Sequence, residues 1–359
     1  MNREELVRKL TKVKPALSSN ALVPILTDYW FTGIRLMAFN DKIAISTPYK
    51  SDFIGTLPGN ILLALLSSSS AKECTFSNPT PAKADKVSEI LITAGRTKMK
   101  LGVRDLEETG FDFPKKSPEY ALTDQTAMAL CQAIESCIPS LGNDPSSPDK
   151  LGVTLIPGKH FCSIFATDSV TITYAKIPID SGELKNRVLL SGIFCKEITP
   201  IVKDQSTVYL EITPDHILLA AGGTILHGKL LTSDNPYSFE SIVNHHYPPG
   251  LEKRLVQIPP RLSNALDRAS IIMDDGMDDD KTSVEITGGV IHFLSKSKHG
   301  QVDDVINIGG HEDVKVRFNP KLVRAGCERY KDIMFRSDSI VMTNKGKEPE
   351  VVYLVSATS

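Results

Sequence analysis

The sequence has six cysteines in 359 residues and no CxxC pair among them. Cys74, Cys131, Cys137, Cys162, Cys195 and Cys327 stand singly, which excludes the common paired-cysteine zinc and redox spacings and reads as reduced, mostly buried cytosolic thiols. Long apolar runs are missing: ILLALL at 61–66 is far too short to cross a bilayer. The start, MNREELVRKL, is charged from its second residue onward, unlike a secretory signal. No GK[ST] phosphate loop occurs; Gly222-Gly223 and Gly288-Gly289 precede strand-like runs and are expected to be hairpin turns. An excess of charge is missing too. With 41 basic and 43 acidic side chains the formal net charge is −2, so the whole molecule has no field that attracts nucleic acid or an anionic membrane. A nucleic-acid role requires basic residues gathered on one face.

What is present is repetition. AFNDKIAI at 38–45 sets Asn40-Asp41 before alternating Ile43 and Ile45; FATDSVTITY at 165–174 sets Thr167-Asp168 before Val170 and Ile172. This alternation is the period of a half-buried strand. Around these two stretches the chain reads helix, strands, helix, strands, three times over. Leu6, Leu10 and Val13 share one face of a helix over 3–13, and NILLALLSS gives the second helix. Thr123 caps a third through Cys137, and a fourth runs from about Gly192 to Val202. IPPRLSNALDRAS has Pro at its first turn, where the missing N–H costs nothing; Asn319-Pro320 caps the last, reaching about Tyr330. Strands fall between: YWFTGIRLMAF, SEILITA, KMKLGV, HFCSIFA, TVYLEIT, HILLAA, VIHFLSK, VKVRF and EVVYLVSA. FPKKSPEY and YPPGLEK mark boundaries, dividing the chain into 1–117, 118–250 and 251–359. Each piece has an ordinary domain size, and repeats this long imply tandem domains rather than a solenoid. In the third copy the turn is blurred near LSKSKHGQVDDVI. The expected class is α+β, with two helices packed on antiparallel sheets in each copy.

The helices also carry a charge pattern. Arg8 and Lys12 lie opposite Leu6, Leu10 and Val13. Lys196, Thr199 and Lys203 lie opposite Phe194, Ile198 and Ile201. Arg261, Asn264 and Arg268 oppose Leu262, Leu266 and Ala269, and Lys321, Arg324 and Lys331 oppose Leu322 and Gly326. One such helix is an ordinary amphipathic surface helix. Four in corresponding repeat positions make a basic track if they line one surface. The helices at 60–68 and 123–137 have no Lys or Arg.

The chain resembles the beta subunit of bacterial DNA polymerase III, the sliding clamp. The resemblance is carried by LVPIL at 22–26, FATDSVTITYAKIPI at 165–179, HGKLL at 227–231, RFNPKLV at 317–323 and the late strand VVYLV, in order and spacing over essentially the whole length. It implies a head-to-tail homodimer whose six clamp domains form a ring. Helices line the hole, duplex DNA passes through it, and the chain has no catalytic role and no cofactor. It implies a cytoplasmic place at the bacterial nucleoid. The implied DNA-facing residues are Arg8, Lys12, Asn20, Lys150, Lys196, Lys203, Arg261 and Arg268. At the implied dimer interface, Met99 and Leu101 of one subunit face Ile271 and Ile272 of the other. The polymerase's catalytic subunit and the clamp loader would dock short peptides into a cleft of Leu151, Thr167, Val170, Thr171, Ile172, Pro236, Leu354, Val355 and Ala357. The chain departs from the family pattern at Asp168-Ser169-Val170, which lacks a His-Arg pair, and at its LVSATS end. These departures imply weaker binding of a Gln-Leu-type peptide, or a preference for a more hydrophobic one.

Other chemistry finds less in the residues. MDDGMDDDK at 273–281 is acidic but lacks the EF-hand pattern and reads as a solvated hairpin loop. His245-His246 sit in a Pro-rich stretch without a partner motif, and no metal is expected. A cytosolic hydrolase on a β-rich scaffold, with Cys and His as nucleophile and base, is the alternative from another class. No local signature supports it.

Overall fold

A computed structural model describes residues 2–19, 23–80, 88–104, 121–122, 124–179, 184, 186–233, 236–271, 282–297, 300–344, 346 and 350–357. Asn20, Ile272, Thr123, the FPKKSPEY boundary and the whole acidic run at 273–281 lie outside them.

The chain opens with α1 (Arg3–Val13), β1 (Asp28–Thr32), β2 (Arg35–Phe39), β3 (Ile43–Pro48), β4 (Ile54–Pro58) and α2 (Gly59–Ser68). It continues through β5 (Cys74–Thr80), β6 (Ser88–Ala94), β7 (Thr97–Val103), β8 (Ala121–Leu122) and α3 (Asp124–Cys137). Next come β9 (Gly152–Pro157), β10 (Phe161–Thr167), β11 (Thr171–Pro178), β12 (Val188–Ser191) and α4 (Gly192–Val202). Then follow β13 (Val208–Ile212), β14 (His216–Ala221), β15 (Thr224–Leu231), α5 (Phe239–His246), β16 (Val256–Gln257) and α6 (Leu262–Ile271). The last are β17 (Thr282–Thr287), β18 (Val290–Ser297), β19 (Gly300–Asn307), β20 (Val314–Phe318), α7 (Pro320–Cys327), β21 (Asp332–Phe335), β22 (Ser339–Thr343) and β23 (Glu350–Ser356).

By compactness these residues fall into two units: Met1–Cys131 with Leu190–Leu230, and Gln132–Leu189 with Leu231–Ser359. The first holds an antiparallel sheet in the order β8-β13-β14-β15-β3-β2-β1-β4 and a smaller sheet β5-β6-β7. The second holds β16-β21-β22-β23-β11-β10-β9 and a four-stranded sheet β19-β18-β17-β20. In each unit strands from distant parts of the sequence share one ladder: β15 pairs with β3, and β11 with β23. Arg35 reinforces the first junction, donating from Nη2 to the Gly223 carbonyl at 2.8 Å. Pairing of this kind removes strand edges that would otherwise stay open.

The repeated turns have the same local chemistry. Asn40 Oδ1 accepts from the N–H groups of Lys42 and Ile43, each at 2.9 Å. Asp168 Oδ1 accepts from those of Val170 at 2.9 Å and Thr171 at 2.6 Å. A short carbonyl-bearing side chain that satisfies the following amides is a turn signal. Both predicted Gly-Gly pairs are two-residue hairpin turns, with φ of 54° and 76° at Gly222 and Gly223 and of 58° and 77° at Gly288 and Gly289. Positive φ at both central residues suits the twist of the flanking strands.

The helices form where capping and periodicity agree. The Asn2 side chain caps α1 by accepting from Glu5 N–H, and Leu6, Leu10 and Val13 are buried. Ser191 caps α4 in the same way over buried Phe194, Ile198 and Ile201, and Asn319 caps α7. The last helix ends at Cys327, short of Tyr330. It lies so close to its sheet that a Cβ at Gly326 would stand 2.4 Å from Met342 Sδ and 3.0 Å from the Tyr353 ring.

Candidate functional site

A cavity of about 210 Å³ opens in the second unit. Ile172, Leu354, Phe239 and Ile242 give it apolar wall, while Thr167, Ser169, His246, Ser339 and Ser356 give it a polar margin. Its apolar side continues into a buried cluster that includes Phe165, Phe239, Val243, Met334, Val341, Val352 and Leu354. Phe239 stacks on Phe165, with centroids 5.0 Å apart and planes at 17°. Tyr237 lies 5.7 Å from Phe239.

The segment bearing Tyr237 and Phe239 is held by charge. Asp149, only 3% exposed, accepts from Arg187 and from the Ser233 hydroxyl. Arg187 also donates from Nη1 to the Tyr237 carbonyl at 3.3 Å. A buried carboxylate that holds one arm of a guanidinium leaves the other arm aimed at the backbone; such a charge-assisted bond is a directional anchor, and it fixes the start of α5.

This helix is the site element that the sequence reading missed. Its residues 239–246 fall in the stretch taken as a Pro-rich loop with loose spacing around Pro236. The helix has no side-chain N-cap and is only eight residues long, so the usual start signal is absent. One signal was available: Phe239, Ile242, Val243 and His246 recur at i, i+3, i+4 and i+7.

Strand alternation sorts the expected cleft residues. Thr167, Ile172 and Leu354 line the cavity; Leu151, Val170, Thr171, Pro236, Val355 and Ala357 do not. Ile172 lies opposite Leu354, and Thr171 opposite Val355. Successive residues of a strand point to opposite faces, so only one of each neighbouring pair can reach the cavity. The Thr171 hydroxyl instead meets Asp168 Oδ1 at 3.0 Å. Val170, read as sharing the Ile172 face, lies in the turn beyond the strand and is 41% exposed.

The expected cations differ in what surrounds them. Arg8, Lys196, Lys203 and Arg261 are exposed and have no ion pair among the described residues. Lys12 is half-buried, and its pKa is pushed below the usual lysine range by burial and then by Lys9 and Arg8 nearby. Like charges crowded on one helix face are relieved when an anion binds. Arg268, by contrast, is held by both oxygens of Asp304, at 2.9 and 2.8 Å, and Lys150 pairs with Asp144 at 3.6 Å. Their charge is matched locally.

The expected interface residues also differ from the reading. Met99 and Leu101 are 7% and 9% exposed; they are packed inside the chain rather than awaiting a partner. They lie opposite Ile92 and Ile90, both fully buried, and directly opposite residues share a sheet face. The outward face of β7 shows Lys98 and Lys100. Ile271 is 80% exposed.

The hydrolase alternative finds no support. Burial pushes the Cys162 and Cys327 thiols up to about 12, opposite to the depression that makes a thiolate nucleophile. The helices include none long and apolar enough to cross a membrane, among the described residues.

No protein-family model matches the sequence, and no curated protein matches it significantly. Solved structures do match in fold. The DNA polymerase III beta subunit of Thermotoga maritima is 18% identical with a TM-score of 0.80, covering 100% of this chain and 98% of that one. The beta subunit from the DNA polymerase of Streptococcus pyogenes is 18% identical with a TM-score of 0.81, at the same coverage. The DNA polymerase sliding clamp of Bacillus subtilis gives 18% and 0.80, again at 100% and 98% coverage. The chain has the α+β fold of these proteins from end to end.

Proposed function

We propose that this chain is a DNA sliding clamp: a non-catalytic subunit that encircles duplex DNA as a head-to-tail homodimer and keeps a replicative polymerase on its template. The observation that carries this reading is the likeness of fold over the full length of the chain to DNA polymerase III beta subunits. The repeats 1–117, 118–250 and 251–359 are its domains, so two copies give a ring of six. A clamp must hold DNA without reading it. Exposed Arg8, Lys196, Lys203 and Arg261, with Lys12, suit that task, because phosphate contacts are sequence-independent and salt-sensitive. Closure of the ring supplies persistence, so a few cations suffice and sliding stays free. The catalytic subunit of DNA polymerase III and the clamp loader dock short peptides, with Leu or Phe anchors, in the cavity beside α5. The place of action is the bacterial cytoplasm, at the nucleoid.

Two strand edges support the head-to-tail arrangement. β7 ends the sheet β5-β6-β7, and β19 ends the sheet β19-β18-β17-β20. β7 exposes Lys98 and Lys100, whereas β19 exposes Asp303 and Val305, the latter at 59%. The Arg268–Asp304 pair ties β19 to α6, the helix that ends in exposed Ile271. A basic open edge and an acidic open edge on different parts of one chain attract each other between copies and close both edges. Sedimentation equilibrium tests this: the chain should run at twice 39.3 kDa. Lys98→Glu with Lys100→Glu should give monomers, and Asp303→Lys should restore the dimer. A wild-type monomer at micromolar concentration contradicts the arrangement.

A further inference from the structure

We propose that His245, His246 and Asp338 form a binding site for a divalent first-row transition ion of the zinc class. The two histidines end α5, and Asp338 precedes β22, so the trio joins elements 93 residues apart. Asp338 Oδ2 stands 3.1 Å from His245 Nε2 and 3.5 Å from His246 Nδ1. One ligand atom from each residue lies within 4.8 Å of the others.

The distances suit a metal. Zinc binds imidazole nitrogen and carboxylate oxygen at about 2.0–2.2 Å in a tetrahedron, whose ligands stand about 3.3–3.5 Å apart. The 3.5 Å from Asp338 Oδ2 to His246 Nδ1 has that length, and the 3.1 Å to His245 Nε2 falls slightly short of it. The third, between the imidazoles, is no more than 4.8 Å, and His245, whose side chain is 69% exposed, has room to adjust. Two imidazoles and one carboxylate are a borderline donor set that favours zinc, nickel or copper over magnesium or calcium.

The ligands are also oriented from behind. Asp338 divides its oxygens: Oδ1 accepts from Arg336 Nε at 3.2 Å and from the Ser339 hydroxyl at 3.0 Å, which leaves Oδ2 facing both imidazoles. Such outer partners fix the geometry of metal-bound carboxylates. Three protein ligands leave the fourth position open. His246 and Ser339 also line the cavity, so water or a ligand-bearing group of a docked segment can complete the shell there. The site rests on its own geometry and stands whether or not the chain is a clamp.

Without metal, the same distances arise from hydrogen bonds of His245 Nε2 to Asp338 Oδ2 at 3.1 Å and of His246 Nδ1 to the Ser339 hydroxyl at 3.0 Å, and titration separates the cases. Full-length chain without a histidine tag is titrated with ZnCl2 by calorimetry, and Co2+ is used as a spectroscopic probe. The expected result is one zinc per chain, and a tetrahedral cobalt spectrum without a thiolate charge-transfer band. His245→Ala changes only an exposed side chain and should weaken zinc binding by at least about tenfold, the lower end of what loss of even an outer partner costs. Asp338→Asn should do the same, and Cys327→Ser should change nothing. Absence of zinc binding in the wild type overturns the proposal. So does a zinc affinity that is unchanged in His245→Ala, or a cobalt spectrum that shows sulfur ligation.

Discussion

Ile242→Asp isolates what the cavity does. Ile242 lies on α5 and lines the cavity, yet it is half-buried and outside the buried cluster behind it, so the folded chain should survive the change. A Leu or Phe anchor of a bound peptide gains about 1.5–3 kcal/mol from full burial of its side chain. Replacing one apolar wall by a carboxylate removes at least the lower part of that gain, because the anchor then meets a charge that it must desolvate. A loss of about 1.5 kcal/mol corresponds to roughly tenfold in Kd. Val170→Asp is the matched control. It adds the same charge to an exposed turn next to the cavity but outside its lining, and should change affinity less than about threefold, since exposed charges are strongly screened. The assay is fluorescence anisotropy of a labelled Gln-Leu-type peptide, repeated with a more hydrophobic one, with thermal melts to confirm folding. Equal loss in the two variants, or no loss in Ile242→Asp, refutes the assignment of the cavity as the peptide site.

Further expectations come from charge, packing and protonation. Neutralising Lys196 and Lys203 should weaken duplex binding equally for all sequences and lower the salt slope by about 0.9 for each phosphate left without its cation; Arg268→Gln, whose charge Asp304 already matches, should leave that slope nearly unchanged. Gly326→Ala forces a Cβ to 2.4 Å from Met342 Sδ and should destabilise by about 1–3 kcal/mol, the usual cost of overpacking, read as a lower denaturation midpoint. His227, depressed to about 4 by burial and then by His216, gives a pH effect. The unfolded chain binds the proton first as pH falls below about 6.5, so stability is constant above that pH and falls below it, by at most about 2 kcal/mol at pH 5 and by less where solvent screens this partly exposed ring; His227→Gln should flatten the pH dependence of the melting temperature between pH 7 and 5.

Much of this was legible in the residues. Helices over 3–13 and 192–202 were readable because cap and apolar face agree, with Asn2 or Ser191 at the start and buried residues at helical spacing. The Asn40 and Asp168 turns were readable because each side chain makes its own turn. What was not legible depended on packing that the pattern does not encode. Alternation in KMKLGV separates two faces of β7, but it does not say which one the chain covers, and Met99 and Leu101 proved to be inside. At the end of the chain Leu354 and Val355 are equally apolar, and only the pairing of β23 with β11 decides that Leu354 faces the cavity. The short helix α5 forms because Phe239 and Val243 are buried in the cluster and Arg187 holds its start. That is tertiary packing stabilising a weak local signal. His245 and His246 looked isolated in sequence because their partner, Asp338, is 93 residues away.

A sliding clamp holds DNA by enclosing it. The direct measurement is retention on nicked circular plasmid after loading with its loader and ATP, followed by gel filtration in moderate salt before and after a single restriction cut. A clamp stays with the circle through the column and is lost when the plasmid is cut, because linear ends let the ring slide off. Equal retention on circular and linear DNA, or none on either while the dimer is intact, contradicts the account.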